Sequence, residues 1–272
     1  MQTRWRKTWK KDVNMKIEVL EKKDNEVRFI LEGVNHPFLN SLRRTASTDV
    51  PTMAIEEVEF TKNSSVLYDE IMAHRLGLIP LKTDFKTYNL PSECKCKGKG
   101  CNLCQVKLSL NAKGPGIVYS GDLKSKDPKV VPAEEGIPIV KLNEGQELKL
   151  NATAVLGLGS VHSKWSTGLF TYQYYPEIKI NAAKIKNPQK CIEVCPREVF
   201  EMEGDKLRVK TLNNCILCKA CEEAEEGVTV ESIRDKFIVT IESWGQLSPK
   251  DILINAVKRL DEAYKELQKA LK

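Results

Sequence analysis

Nine cysteines fall into two tight groups in this chain, and no other feature constrains its folding so strongly. Cys94, Cys96, Cys101 and Cys104 share one short loop, KCKGKGCNLC, whereas Cys191, Cys195, Cys215, Cys218 and Cys221 come much later. Thiols spaced this way in a reducing compartment read as metal ligands, because a disulfide framework requires an oxidising one. The N-terminal MQTRWRKTWKK lacks the apolar stretch of a signal peptide. No apolar run approaches the roughly 18 to 20 residues that span a bilayer. The sequence therefore predicts a soluble, cytoplasmic protein with no membrane partner.

The first group offers four thiolates on a loop that Gly98 and Gly100 allow to fold round a small ion. Tetrahedral sulfur ligation with no open position is the signature of a structural Zn²⁺ site. Lys95, Lys97 and Lys99 would offset part of the thiolate charge. The competing reading is four reduced, metal-free cysteines.

The second group contains NNCILCKAC, in which Cys215, Cys218 and Cys221 repeat a CxxCxxC spacing that continues into CEEAEE with no fourth cysteine. In two-cluster ferredoxins the cysteine preceding a proline ligates the other cluster, so the missing ligand can lie far off in the chain. Cys195-Pro196 is such a residue, and a helix and a hairpin are expected between it and Cys215. The expected site is one [4Fe-4S] cluster on Cys195, Cys215, Cys218 and Cys221, with Cys191 left over. A second ferredoxin cluster would need cysteines at Ile185, Pro188, Cys191 and Glu225, and only one of these is a thiol. Zinc on the same four residues and a [3Fe-4S] form on three of them both stay open.

Hydropathy patterning organises the rest. Residues 15–32 alternate apolar and polar side chains around Lys23-Asp24-Asn25, as a β-hairpin does. Asn35 and Pro37 open a short helix that ends before Pro51. From Ala54 to about Gly157 the runs TMAIEEVEF, QVKLSLNA, GIVYSGDL, GIPIVKL and QELKLNATAVL predict a strand-rich domain, with a helix over Tyr68–Leu76. TYQYYPEIKI predicts a strand before the second cysteine group, and VTVESIRDKFIVTIESW a strand pair after it. The chain closes on a helix with Ser248 as N-cap and Pro249 in its first turn. Leu253, Val257, Leu260, Tyr264, Leu267 and Leu271 recur at alternating steps of four and three, an a/d seam. Such a seam lies either on the chain's own sheet or against a second helix.

Arg4, Arg6, Lys7, Lys10 and Lys11, less Asp12, supply +4 of the net charge of +6, so the body of the chain is nearly neutral. No direct sequence-specific DNA contact is expected of it. The basic segment 1–14 reads as a solubilising extension or a nucleic-acid contact, with Met15 as a candidate original start and the tail an alternative-start extension. His36, His74 and His162 belong to no nucleophile, phosphate-loop or metalloprotease motif. No catalytic residue is assigned.

FLNSLRRTASTDVPTMAIEEVEFTKNSSVLYDEIMAHRLGLIPL, followed in order by VLGLGSVHSKWS and the closing strand and helix, resembles the alpha-like subunits of archaeal and eukaryotic RNA polymerases. The segment bearing the second cysteine group is similar to the ferredoxin-like insertion of some archaeal D subunits, the counterparts of the eukaryotic third-largest subunit. The resemblance implies an α+β fold with a discontinuous alpha-like dimerisation domain over 15–50, 166–186 and 227–272. Into it are inserted a strand-rich domain over 51–165 with the four-cysteine loop and a ferredoxin-like iron-sulfur domain over 187–226. It further implies a non-catalytic assembly platform of a nucleotidyltransferase complex. The implied partners are subunit L in a heterodimer, subunits N and P, and the two large catalytic subunits. On this view Asn40, Leu42, Arg43 and Arg44 form an assembly helix, the two arginines suiting bidentate carboxylate pairing. The terminal seam then faces subunit L. The alternative function, suggested by the cysteines alone, is a ferredoxin-like electron carrier or oxidoreductase subunit.

Overall fold

The computed structural model describes residues 15–271, so the basic extension lies outside the described residues. In chain order the elements are β1 (Lys16–Lys22), β2 (Glu26–Glu32), α1 (His36–Thr48), β3 (Thr52–Asn63), α2 (Asp69–Gly77), β4 (Gln105–Lys113), β5 (Gly116–Tyr119) and β6 (Lys124–Ser125). They continue with β7 (Pro138–Leu142), β8 (Glu147–Gly157), β9 (Gly168–Ile180), α3 (Pro188–Val194), β10 (Phe200–Glu203), β11 (Lys206–Val209), α4 (Ala220–Ala224), β12 (Val228–Ser243) and α5 (Pro249–Ala270).

The chain forms two compact units. One comprises the described residues up to Lys22, with Val27–Asn40 and Thr171–Thr240. Its sheet has the order β1-β2-β12-β9, and the β1–β2 hairpin runs antiparallel with Val19 opposite Phe29. Phe29, Ile30 and Leu31 are all buried, so both faces of β2 are covered at its centre. Between β9 and β12 the chain leaves the sheet for a small body of its own, with α3, the β10–β11 hairpin and α4 around Cys191, Val199, Phe200, Cys215 and Cys221.

The second unit holds Lys23–Glu26, Ser41–Phe170 and Ile241–Lys272. Its sheet, ordered β3-β8-β4-β6, follows directly from period-2 patterning. Val106, Leu108 and Leu110 of β4 point inward opposite Ala154, Ala152 and Leu150 of β8, while Lys107 and Ser109 point out. Met72 and Leu76 of α2 insert into this core with no exposed surface, joined by Ile139 and Leu142 of the β5–β7 ribbon. Complete burial of each such side chain stabilises the fold by about 1.5–3 kcal/mol.

Three local expectations are corrected. VTVESIRDKFIVTIESW is not a strand pair but the single 16-residue strand β12. Its polar Arg234-Asp235-Lys236 stays in the ladder, where the Asp235 carbonyl accepts the Gly33 N–H at 2.9 Å, and no Gly, Pro or Asn is present to reverse the chain. GIVYSGDL is a strand only to Tyr119, because Ser120–Asp122 forms a turn closed by the Asp122 carboxylate on the Tyr119 N–H at 2.8 Å. The helix expected between Cys195 and Cys215 precedes Cys195 as α3, begun by Asn187, which caps the Gln189 N–H, and by Pro188. Between the two cysteines lie the hairpin and a short turn.

Candidate metal centres

The four-cysteine loop is preceded by a turn at Pro91–Cys94 and followed by β4, and it bends through left-handed residues Lys97, Gly98 and Gly100. Gly100 is left-handed at φ 85°, where glycine is favoured, and a Cβ there would meet only the movable end of the Gln105 side chain. The bends bring all four sulfurs within 4.8 Å of one another. Cys94 and Cys101 are 3.6 Å apart, Cys96 and Cys104 3.5 Å, and Cys101 and Cys104 3.8 Å. A tetrahedral ion with metal–sulfur bonds of about 2.3 Å sets its ligand sulfurs about 3.8 Å apart, so the arrangement fits one zinc-sized ion. Hydrogen bonding from Cys104 holds the Cys96 thiol down to about 6, and burial pushes Cys104 up to about 12. The set therefore ionises fully only against a cation.

The second group is arranged differently. Cys195, Cys215, Cys218 and Cys221 line one cavity with Pro196, Val199, Phe200 and Val230. Among the described residues only the first group draws its ligand atoms into so tight a set. Leu217 (φ 59°) and Lys219 (φ 64°) are left-handed and alternate with Cys218. Such alternation turns successive N–H groups to one side, as in anion- and iron-sulfur-binding nests. The Leu217 N–H turns to the Cys215 sulfur, and those of Ile216, Cys218 and Lys219 donate to no acceptor among the described residues. Burial raises Cys215, and raises Cys221 to about 11, so a strong positive centre is needed to make thiolates here. Four thiols lining one cavity, with unpaired N–H donors beside them, are the donor set that an iron-sulfur cluster would use.

The positions a second cluster would occupy are closed. The buried Glu225 carboxylate accepts the N–H groups of Lys186 at 2.8 Å and Asn187 at 3.0 Å. A Cβ at Gly227 would stand 2.4 Å from Ile185, so the two segments are in direct contact. Cys191 is fully buried, and desolvation, aided by Glu225, raises its thiol. It is an apolar filler here.

On α1, Leu42 is buried within this chain, while Asn40 and Arg43 are half-buried and Arg44 is exposed. On α5, Ile252 and Ala256 face inward. Of the seam, Leu253 and Leu260 are half-buried, whereas Val257, Tyr264 and Leu267 are 51%, 57% and 56% exposed. Leu271 lies just past the helix as its C-cap. The three histidines hold structure: His36 Nε2 meets the Tyr172 hydroxyl at 2.9 Å, His162 Nδ1 accepts the Lys164 N–H, and the His74 carbonyl caps α2. No described helix is long and apolar enough to cross a membrane.

Residues 57–170 match the family described as the RNA polymerase Rpb3/RpoA insert domain. The chain is 43% identical to the DNA-directed RNA polymerase subunit Rpo3 of Methanosphaera stadtmanae over 258 residues, covering 91% of this chain and 95% of that protein. It is 41% identical to Rpo3 of Archaeoglobus fulgidus over 94% of this chain and 97% of that one. The Rpo3 of Pyrococcus furiosus is 42% identical over 94% and 98%. The chain belongs to the Rpo3 family.

The Rpo3 family match spans both cysteine groups, whereas the insert-domain match takes in only the four-cysteine loop. Sequence reasoning misses three residues that shape the second centre. It marks Glu225 only as an absent cysteine, yet Glu225 clamps α3. Gln173 donates to the Cys215 carbonyl at 2.9 Å, and the Arg28 guanidinium donates to the Asn213 carbonyl. Both lie far from the cysteines in sequence and carry no motif.

Proposed function

We propose that this chain is a non-catalytic assembly subunit of DNA-directed RNA polymerase, pairing with subunit L and recruiting subunits N and P and the two large subunits. Relatedness to Rpo3 proteins over more than nine-tenths of the chain carries the reading. The discontinuous segments 15–50, 166–186 and 227–272 act as the dimerisation domain, with 51–165 and 187–226 inserted. The α5 seam faces subunit L, which accounts for large apolar side chains left exposed in a regular row. Arg43 and Arg44 face carboxylates of a neighbouring subunit. The Cys94 loop holds one structural Zn²⁺, and Cys195, Cys215, Cys218 and Cys221 hold one [4Fe-4S] cluster. When bound, the cluster supplies folding free energy to the 187–226 segment and so modulates assembly beyond the L heterodimer. An electron carrier is not favoured, since its second redox site is filled by Ile185 and the Glu225 clamp.

Co-expression with subunit L tests the reading, a stable one-to-one complex being expected and separate monomers counting against it. Anaerobic purification with iron, sulfide and zinc analysis and EPR tests the metals. Replacing Cys215, Cys218 and Cys221 by Ser should remove the chromophore and weaken assembly with the large subunits while the L complex persists.

A further inference from the structure

The loop carrying three of the four cluster cysteines holds itself together poorly. Its internal backbone bonds are Asn214 N–H to Thr211 and Cys215 N–H to Leu212, both before the first ligand sulfur. From Ile216 to Lys219 no N–H is paired with a backbone carbonyl, and two of the four residues are left-handed without being glycine. A segment like this keeps its shape only if the surroundings fix it. Two side chains of the sheet do so by taking its carbonyls, Arg28 of β2 at Asn213 and Gln173 of β9 at Cys215. In the strand order β2 and β9 lie on either side of β12, which itself sends Val230 into the cysteine cavity. One anchor therefore binds the carbonyl of a ligand residue itself, and the other binds the carbonyl two residues before it.

We propose that Arg28 and Gln173 are the positioning residues of the cluster site, preorganising the Asn213–Cys221 loop for ligation. The proposal rests on the iron-sulfur reading of Cys195, Cys215, Cys218 and Cys221. Neither residue touches a sulfur. Each acts by denying the loop its alternative conformations, so the loop gives up less freedom when it binds the cluster. Arg28 contributes a charge-assisted bond and Gln173 a neutral one, so the arginine is the stronger anchor.

The test uses the full chain purified anaerobically as wild type, Arg28→Met, Arg28→Lys, Gln173→Met and the Arg28→Met/Gln173→Met double variant. Iron and sulfide content, visible absorbance, and the bleaching rate in excess EDTA are measured. Zinc content reports whether the other unit is intact. Gln173→Met should bleach about tenfold faster, the equivalent of one lost neutral hydrogen bond, and Arg28→Met faster than that. The double variant should bleach faster still, Arg28→Lys should recover part of the loss, and zinc should not change. In metal-free protein, amide exchange over residues 213–219 should accelerate in the same order. If Arg28→Met fails to fold, Gln173→Met carries the same test. Wild-type bleaching and exchange rates in the Met variants, with a fully loaded wild type, would overturn the positioning role alone. A wild type without iron and sulfide would overturn the cluster reading and the proposal with it.

Discussion

Glu225 accepts the backbone N–H of Asn187 at 3.0 Å, and with it the N–H of Lys186 at 2.8 Å, fastening the start of α3 to the end of α4. Both carboxylate oxygens are used and the residue is buried, so the interaction is charge-assisted and shielded from water. Replacing Glu225 by Ala strands two N–H donors and should cost about 2–3 kcal/mol. Chemical denaturation of the purified chain checks this, and a midpoint within error of wild type would refute the clamp.

On the proposed reading, the α5 seam serves binding more than folding. Val257 and Leu267 are more than half exposed, so Val257→Asp and Leu267→Asp should change the stability of the isolated chain by no more than about 0.5 kcal/mol. The same substitutions should abolish the complex with subunit L on size-exclusion chromatography. Ala256→Asp, at a site with no exposure, should instead unfold its surroundings. If the seam variants still bind subunit L, another surface makes the dimer.

Retention of the zinc proposed for the Cys94 loop should fall with acidity, because every ligand must lose a proton to bind the ion. Burial raises Cys104 to about 12, so its thiolate exists at neutral pH only through the metal. Progressive acidification should therefore release the ion to a chromogenic chelator as protons displace it from the thiolates. Cys104→Ser should release it at neutral pH. A pH-independent zinc content would exclude thiolate ligation.

Asp84 is held down to about 2, first by the Lys86 backbone N–H, then by the Thr87 hydroxyl, with Lys129 nearby at 3.1 Å. A carboxylate with a depressed folded-state value contributes stability that is fully present above about pH 4 and is lost as pH falls through about 2. Asp84→Asn should remove about 1 kcal/mol at pH 7 and flatten the acid limb of the stability profile between pH 4 and 2. An unchanged acid limb would assign that limb to other carboxylates.

The strand-rich unit was legible because one buried face imposes strict alternation, as in Val106, Leu108 and Leu110. The opening hairpin and the start of α5 were legible for the same kind of reason, turn and capping residues standing where the geometry needs them. β12 reads as two strands because a polar triplet resembles a turn unless the strand beside it is known, and Gly33 supplies that partner. The four-cysteine loop was readable from spacing alone, since its ligands lie close together in the chain. The supports of the second cavity were not, because Arg28, Gln173 and Val230 reach it through tertiary packing.

From Asp261 onward every residue of α5 is exposed, including both sides of its last three turns. A helical stretch of that length with no tertiary support is marginal in water. On the proposed pairing, an orphaned copy would present a fraying, leucine-bearing tail to proteases, and a mated copy would conceal it. Turnover of the surplus subunit would keep the two halves of the pair in step without any dedicated regulator.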